Sequence, residues 1–323
     1  MKILLLANQP ESTTRLKLFR STLDELGFTT VVPTFGTRNW LSIARQSRDW
    51  IIREQPDVVH LFNVPDIIYR KIPALKGKHF QKLIYDYRSP WGIEYQMNFG
   101  APARVIAEHY ERLLASHAEQ ITTVNNPLKE KVRTYANESV PVTVIPNYPK
   151  MDFSPGEEVI PDSSKPILFV GRVCKQEGIE KFIHAAQALP EHPFWIVGDG
   201  PFSWWYLRNK PENLTFFGWQ KHEKVAEFIK NAGLCLIPRK ENPLTPYSND
   251  RSIWKLNEYL NLGKMVVASG ISVEENRKNL QVVRPDDLVG TIRACANREP
   301  EPLTKGDYRF WEHNRNLIQE VYR

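Results

Sequence analysis

The amino-acid sequence predicts an α/β protein built from two doubly wound parallel sheets. Its 323 residues exceed what one ordinary core holds and fit two domains. Short apolar runs rich in β-branched residues alternate with helical segments, which is typical of parallel βαβ units. A stretch with five prolines, "PNYPKMDFSPGEEVIPDSSKP" at positions 146–166, interrupts this alternation and divides it into two halves.

In the first half, six apolar runs predict strands separated by helices. The strands are predicted at Ile3–Ala7, Thr29–Pro33, Val58–Phe62, Leu83–Tyr87, Ile121–Val124 and Val142–Ile145. Helical segments between them include Thr13–Leu26, Trp40–Arg53, Arg104–Ala118 and Leu128–Ala136.

The second half repeats this rhythm without repeating the sequence. Its strands are predicted at Ile167–Val170, Phe194–Val197, Leu214–Phe217, Leu234–Ile237, Met265–Ala268 and Val282–Val283. The final segment, "DYRFWEHNRNLIQEVYR", has an amphipathic helical pattern. We therefore predict a first Rossmann-like domain at 1–150, a linker at 151–165, a second domain at 166–303 and a C-terminal helix at 304–323.

Composition restricts the class of protein. A hydrophobic content of 41% and a charged content of 25% are those of a soluble globular protein. No apolar run approaches the roughly 18 to 20 residues that span a bilayer, and "MKILLLANQP" is too short for a secretory leader. The cysteines Cys174, Cys235 and Cys295 have no metal or redox spacing. We expect a reducing, cytoplasmic compartment.

Positive charge is concentrated in the first half. Residues 1–150 carry 20 Lys and Arg against 14 Asp and Glu, whereas residues 151–323 carry 23 of each sign. A solvated basic surface without a partner explains this, and so does contact with a phosphorylated acceptor or an acidic membrane face. Peripheral membrane contact through the first domain stays open. No dense basic run is interleaved with aromatic residues, so nucleic acid is not an expected partner.

Gly171 and Arg172 follow the first predicted strand of the second half, in "ILFVGRVCKQEG". Open parallel sheets bind ligands beyond the carboxyl ends of their strands. Arg is well suited to bidentate contact with phosphate oxygens. A glycine turn followed by an exposed arginine is the alternative interpretation.

A helix is predicted inside "PRKENPLTPYSNDRSIWKLNEYLNLGKMVVAS", residues 238–269. Asp250 is a candidate N-cap, and Gly263 ends the helix. Apolar residues recur at helical spacing as a buried stripe at Ile253, Leu256 and Leu260. A helix that begins at the mouth of a cleft offers N–H groups and a positive dipole end to an anion.

Three polar residues, Ser252, Lys255 and Glu258, share the other side of this helix. An ordinary surface ion pair between Lys255 and Glu258 is the alternative explanation for two of them.

At these motifs the chain resembles the retaining nucleotide-sugar glycosyltransferases of the GT-B fold, family 4, the glycogen-synthase-like group 1. The matching pieces are "ILFVGRV", "EGIEKFIHAAQ", "FWIVGDGP", "LTFFGW", "AGLCLIPR" and "DRSIWKLNEYLNLGKMVVAS". Weaker matches in the first half are "DVVHLFN", "AEQITTVNNPLKEKV" and "VTVIPNYP". The family's two acidic residues, separated by seven others, fall on Asp250 and Glu258.

The resemblance implies roles for residues of the second half. Glu258 matches the acid that holds the ribose hydroxyls of the donor, and Asp250 replaces the glutamate that contacts the transferred sugar. Arg172 matches the arginine that grips the diphosphate. The expected catalytic residues are Asp250, Arg172 and Lys255, and the expected donor-binding residues are Gly171, Arg172, Lys175, Asp199, Gly200, Ser252, Lys255 and Glu258.

One departure concerns the second cation of the diphosphate site. Family members usually carry a lysine five residues after the arginine, and Glu177 stands there. Lys175 or Lys255 would supply that cation, and a "KLxEYL" pattern in one branch of the family favours Lys255.

The first half departs further from the family, because "ANQPESTTRLK" has no glycine after the first strand. Trp91 is expected as a platform for a sugar and Arg88 as a phosphate or carboxylate contact. His60 stands in for the family's catalytic-region histidine, with a buried structural histidine as the alternative. The expected acceptor-binding residues are Ser12, Thr13, His60, Asp86, Arg88 and Trp91.

The resemblance implies a fold and a reaction. The fold is two Rossmann-like domains facing across a cleft, with the last helix crossing back to the first domain. The reaction moves a hexose from GDP-mannose or a UDP-hexose, with retention and without a metal or other cofactor, to an anionic, saccharide or lipid-linked acceptor in glycan biosynthesis. A catalytically silent relative that binds nucleotide sugar or acts as a partner subunit is the alternative. An NAD-type oxidoreductase is disfavoured, because no G-x-G-x-x-G follows a strand.

Overall fold

The computed structural model describes residues 1–153 and 165–323, which form two compact units. Unit 1 comprises Met1–Asn147 and Trp311–Arg323, and unit 2 comprises Tyr148–Phe310. The predicted linker at 151–165 falls mostly on residues 154–164, which lie outside the described residues. In the described ranges, no helix combines the length and the apolar character needed to cross a membrane.

Unit 1 contains a parallel sheet of six strands in the order β2-β1-β3-β4-β5-β6. The strands are β1 (Lys2–Leu6), β2 (Thr29–Val31), β3 (Val58–Phe62), β4 (Lys82–Tyr87), β5 (Gln120–Thr123) and β6 (Val142–Val144). All six lie where the apolar runs predict them: β3 has the predicted ends, and the ends of the others differ by at most two residues.

Five helices of unit 1 precede residue 147. They are α1 (Thr14–Glu25), α2 (Trp40–Glu54), α3 (Trp91–Phe99), α4 (Ala101–His117) and α5 (Asn126–Arg133). Asn39 caps α2, because its side-chain oxygen accepts hydrogen bonds from the backbone N–H groups of Leu41 and Ser42. Helix α3 is absent from the sequence expectations, which treat Trp91 only as an acceptor-binding residue.

Unit 2 has the strand order of a dinucleotide-binding fold, β9-β8-β7-β10-β11-β12. Its strands are β7 (Ile167–Val170), β8 (Phe194–Val197), β9 (Leu214–Phe216), β10 (Leu234–Pro238), β11 (Met265–Ser269) and β12 (Leu280–Val283). Its helices are α6 (Ile179–Ala188), α7 (Ser203–Leu207), α8 (His222–Asn231), α9 (Trp254–Asn261) and α10 (Leu288–Cys295). Alternate residues of β7 enter two separate cores, with Phe169 on one face of the sheet and Leu168 on the other.

The C-terminal segment belongs to unit 1. It is a 3₁₀ turn at Trp311–Asn314 followed by helix α11 (Arg315–Tyr322), so the regular helix is shorter than the pattern from Tyr308 predicts. The Trp311 indole N–H donates to Thr22 Oγ1 at 2.9 Å, and the Lys82 ammonium donates to the Val321 carbonyl at 2.7 Å. These bonds attach the last helix to the first domain.

A buried ion pair joins three parts of unit 1. Arg15 in α1 donates through Nε to Asp86 Oδ2 in β4 at 2.9 Å, and both side chains are almost fully enclosed. The Arg15 Nη1 atom also donates to the Ile145 carbonyl at 2.7 Å and to Asn147 Oδ1 at 2.9 Å. Thr122 donates to Asp86 Oδ1 at 2.6 Å. This network links α1, β4 and the chain that leaves β6.

We predict that Asp86→Ala lowers the free energy of unfolding by about 3 to 5 kcal/mol, because it leaves the Arg15 charge buried without its partner. Burial raises the pKa of Asp86, but the Arg15 charge and hydrogen bonds outweigh burial and hold it below its usual value. The wild-type contribution is therefore complete at neutral pH and is lost as pH falls through the lowered pKa.

Urea denaturation at neutral and acid pH measures both effects. The matched control is Glu25→Gln, because the Glu25–Arg315 pair in unit 1 is exposed and such a pair contributes at most about 1 kcal/mol. Equal costs for the two variants at neutral pH would contradict the role given to the buried pair.

Candidate functional site

The site in unit 2 is built where its strand order reverses, between β7 and β10. Gly171 and Arg172 follow β7, and Arg239 follows β10. Gly171 has a φ of +143°, and a Cβ atom at this position would lie 3.0 Å from Lys255 Nζ. Two residues from distant predicted motifs, Gly171 and Lys255, are therefore brought together at the edge where such sheets bind ligands.

Helix α9 presents Lys255 and Glu258 at this edge. It begins at Trp254, with Ile253 at the N-cap position, so the prediction of an N-cap at Asp250 is wrong. The Tyr259 hydroxyl accepts a hydrogen bond from the Val170 N–H at 2.9 Å and ties α9 to the end of β7. The predicted apolar stripe is confirmed, because Ile253, Leu256 and Leu260 are all buried.

Glu177 binds two cations at this edge. Its Oε2 accepts a hydrogen bond from Lys255 Nζ at 2.5 Å, and its Oε1 accepts one from Arg239 Nη2 at 2.6 Å. Gly178 makes this reach possible, since its φ is +80° and a Cβ atom there would lie 1.9 Å from the Pro238 carbonyl oxygen. Only glycine lets the chain after Glu177 pass so close to the end of β10.

The charges of this cluster favour an anion. Burial raises the pKa of Glu177, but the charges of Lys255 and Arg239 outweigh burial and lower it to about 2. Burial lowers the pKa of Lys255, and the Glu177 charge opposes that change. One carboxylate neutralises one of the two cations, and the exposed Arg172 adds a further positive charge. The four side chains together leave two positive charges at the end of β7.

Glu258 lies further along α9 and has a partner of its own. Its Oε1 lies 2.9 Å from Nε2 of His222, the first residue of α8, and the carboxylate is mostly buried. The Phe153 ring stacks on the His222 ring at a centroid distance of 4.8 Å. The hydrogen bond to Glu258 raises the pKa of His222. Lys255 and Glu258 therefore have separate partners, and the alternative of a surface ion pair between them is wrong.

Asp250 occupies a different position from the one its predicted role requires. Its side chain is fully buried, and its Oδ1 accepts a hydrogen bond from the Glu274 N–H at 2.7 Å. Its backbone carbonyl accepts a hydrogen bond from Asn257 Nδ2 at 2.8 Å. Direct contact of this carboxylate with a sugar is incompatible with that enclosure, so we correct its role to holding the loop before α9.

The other predicted donor-binding residues lie in loops before α9 and after β7 and β8. Ser252 precedes α9, and its hydroxyl accepts a hydrogen bond from the Asn249 N–H at 2.8 Å. Asp199 follows β8 and accepts a hydrogen bond from the Gly200 N–H at 2.7 Å, which fixes the turn after that strand. Lys175 is exposed on the turn after Arg172. These residues hold or flank the loops at the carboxyl edge of the sheet.

In unit 1, three predicted acceptor residues lie at the carboxyl edge of the sheet. Ser12 and Thr13 follow β1, where the Thr13 hydroxyl donates to the Gln9 carbonyl at 2.7 Å. Arg88 follows β4, and its Nε donates to the Asn63 carbonyl after β3. These three are placed where an open sheet binds ligands.

The other three acceptor expectations are corrected by burial. His60 is fully enclosed, stacks on Phe62 and bonds through Nδ1 with Tyr322, so the structural alternative applies. Burial lowers the pKa of His60 to about 3, which keeps the imidazole neutral. Asp86 is committed to Arg15. Trp91 is only 3% exposed and cannot offer a ring face to a sugar.

Sequence reasoning missed two residues of the unit 2 site and the role of a third. Arg239 is the first residue after β10, so its position at a strand end is a usable signal. Glu177 is noticed in the sequence only because the family usually has a lysine at that position. A carboxylate close in sequence to the expected cations of a diphosphate site is a usable signal for an ion-pair partner. His222 gives no signal, because nothing in "WQKHEKV" relates it to Glu258.

Comparisons with known proteins agree with the architecture. The family model described as a glycosyl transferase 4-like domain matches residues 5–148, and the model described as glycosyl transferases group 1 matches residues 150–272. The alpha-galactosylglucosyldiacylglycerol synthase of Streptococcus pneumoniae is 26% identical over 204 residues, which are 57% of this chain and 54% of that protein. The match thus spans about half the length of that relative.

Solved structures with the same fold cover nearly the whole chain. The sucrose-phosphate synthase of Thermosynechococcus elongatus has a TM-score of 0.72 at 14% identity and covers 100% of this chain and 94% of its own. The Anabaena protein HepE, solved in complex with UDP, has a TM-score of 0.64 at 12% identity over 99% and 95% of the two chains.

Two doubly wound units, with a cluster of cations at the switch point of the second, are the architecture of a GT-B glycosyltransferase. Together the two family matches run through both units, from residue 5 to residue 272. The chain belongs to the family 4, or group 1, glycosyltransferases.

We predict that Glu177 and Lys255 are energetically coupled. Glu177→Gln leaves two partly buried cations without their carboxylate, and Lys255→Met leaves the carboxylate with one partner. The double variant should therefore cost less than the sum of the single variants. The coupling expected for such contacts is about 1 to 3 kcal/mol. Urea denaturation of the four proteins measures it.

The matched control is Glu180→Gln with Lys240→Met, an exposed pair formed by α6 and the loop after β10. Its coupling should stay within about 1 kcal/mol. Additive costs at Glu177 and Lys255 would show that the pair is not formed.

Proposed function

We propose that this glycosyltransferase binds a nucleotide-sugar at the unit 2 site and transfers its hexose to a lipid-linked or otherwise anionic saccharide acceptor on unit 1. The observation that carries the proposal is the cluster at the end of β7, where Glu177 holds Lys255 beside Gly171. Its two surplus positive charges match the two negative charges of a nucleotide-sugar diphosphate.

Each donor contact has a side chain suited to it. Arg172 and Lys255 bind the diphosphate and neutralise the charge that develops on the leaving group. Glu258 has one oxygen engaged with His222, and its second oxygen is available to a ribose hydroxyl. We propose transfer with retention, which the family resemblance supports. We also propose that the departing diphosphate itself helps to deprotonate the acceptor hydroxyl.

The cations of the site also bear on the need for a metal ion. Metal-dependent transferases stabilise the leaving diphosphate with a divalent cation. Here Arg172, Lys255 and Arg239 provide positive charge at the same position, and we propose that they serve in its place without any cofactor.

A UDP-hexose is our preferred donor, with GDP-mannose as the alternative. The support is that HepE of Anabaena, a neighbour in fold, has been solved in complex with UDP and with UDP and glucose. A lipid-linked acceptor is supported by the name of the S. pneumoniae relative, a diacylglycerol glycolipid synthase. Cys174, Cys235 and Cys295 are free thiols, which fits our placement of the reaction in the cytoplasm.

Calorimetric titration with UDP, GDP and ADP tests the donor site. We expect UDP to bind most tightly, and Arg172→Ala to weaken it by about 10- to 100-fold, since a hydrogen bond to a charged group contributes about 1.5 to 3 kcal/mol. Lys224→Ala, an exposed cation of α8 outside the site, is the matched control. Absence of binding by all three nucleotides would contradict the proposed site.

Release of the nucleoside diphosphate tests the reaction. With UDP-glucose or UDP-galactose and glucosyldiacylglycerol vesicles, we expect UDP release that Glu258→Ala reduces by about tenfold or more, through loss of ribose binding. His222→Gln should keep most activity, because the carboxylate remains. Tight UDP binding without release from a panel of lipid and saccharide acceptors would favour the catalytically silent alternative.

A further inference from the structure

A pocket rich in positive charge lies in unit 1, and none of its lining residues belongs to the donor or acceptor sites described above. Its volume is about 220 Å³, and it lies between α2 and the 3₁₀ turn Asp66–Tyr69. Two cations come from α2 and two follow the turn: Arg45, Arg48, Arg70 and Lys71. The other residues of the lining, including Leu41, are aliphatic, and none of the lining residues that the structure describes is acidic.

No carboxylate pairs with these four cations in the part of the chain that the structure describes. Across residues 1–153 and 165–323, none of the four forms an ion pair, whereas Arg53 at the end of α2 pairs with Glu54 at 3.0 Å. Arg45 and Arg48 are three residues apart on one face of α2, a like-charge spacing that destabilises a helix. Arg70 donates only to the Ile67 carbonyl, at 3.1 Å. The pocket therefore has the charge of an anion site without an anion supplied by the protein.

An apolar ridge begins at the same pocket. Leu41 lines the pocket and is 68% exposed, and Trp40 beside it is also exposed. The Trp40 ring lies 6.4 Å from the Tyr95 ring, which lies 5.0 Å from the Phe99 ring, measured between centroids. Phe99 is 69% exposed at the end of α3.

Further apolar residues are exposed on α3 and in the first turns of α4, which packs against α3. They are Met97, Val105 and Ile106. Clustered exposed apolar side chains of this kind are typical of an interaction site. Leu41 belongs to both features, so a partner that fills the pocket also meets the ridge.

We propose that this surface docks unit 1 on an anionic phospholipid bilayer, with the four-cation pocket holding a headgroup phosphate. Cations beside exposed aromatic and aliphatic side chains match the chemistry of such a bilayer, in which phosphates overlie acyl chains. Tryptophan is favoured at that boundary. A soluble phosphate would satisfy the pocket and leave the ridge without a partner, which is why the bilayer is preferred. The proposal deepens the lipid-linked acceptor proposed above but uses none of the donor site.

Co-sedimentation with vesicles tests the docking. The full chain should bind vesicles of phosphatidylcholine with phosphatidylglycerol and bind phosphatidylcholine alone much more weakly. Arg45→Gln with Arg48→Gln should weaken binding to the anionic vesicles by about tenfold or more, given the contribution of each cation near such a surface. Leu41→Ser with Phe99→Ser should weaken binding to the same vesicles and leave its salt dependence unchanged.

Matched controls are Lys221→Gln with Lys224→Gln for charge and Val273→Ser for exposed apolar area, all in unit 2. UDP titration shows that each variant is folded, and it separates failure of the docking from failure of the donor site. The proposal is overturned if the wild-type chain ignores anionic vesicles, if both pairs of variants bind as the controls do, or if inorganic phosphate binds the pocket while vesicles do not.

Discussion

The site in unit 2 depends on one carboxylate that sits between two cations. Without Glu177, Lys255 and Arg239 would repel each other in a largely buried space. Neither side chain would then be held at the end of β7 or β10 by an ion pair. With it, the lysine ammonium is held beside Gly171 at the switch point of the sheet. A buried cluster with surplus positive charge is costly by itself. A bound diphosphate would offset that cost, so relief of the repulsion among the cations would contribute to its affinity.

Glu177 also marks a departure of this chain from the sequence pattern of its family. The lysine usual at position 177 is replaced by a glutamate, and the positive charge reaches the site from α9 and from the end of β10 instead. Gly178 allows Glu177 to reach both cations, because any side chain at position 178 would collide with the Pro238 carbonyl. The positive charge at the end of β7 is thus supplied by Lys255 and Arg239, and not by a lysine at position 177.

Much of the fold could be predicted from the sequence, because the strands of a parallel sheet are buried on both faces and are therefore continuous apolar runs. The runs at Val58–Phe62 and Ile167–Val170 coincide with observed strands. The first residue of a helix was harder to predict. Asp250 has the residue type of an N-cap, but its side chain is buried and accepts a hydrogen bond from the Glu274 N–H. Contacts between distant segments leave no local pattern, so the pairing of His222 with Glu258 could not be read from either motif.

Unit 1 shows why polar residues at strand ends are ambiguous. His60 and Asp86 have the residue types of a catalytic pair, yet one is enclosed by aromatic rings and the other neutralises Arg15 inside the core. Sequence alone gives the residue type and the edge of the sheet, but burial decides whether a side chain meets a substrate. By the same criterion, the exposed Ser12 and the half-buried Arg88 remain the acceptor-side proposals, whereas Thr13 lies at the same edge but is buried.

The most direct measurement is a crystal structure of the full chain with UDP. We expect diphosphate oxygens within hydrogen-bond distance of Lys255 Nζ and of the Arg172 guanidinium. We also expect the ribose against the Glu258 carboxylate, with the Glu177 contacts retained. A diphosphate bound elsewhere on unit 2, or a ribose that lies away from Glu258, would contradict these expectations.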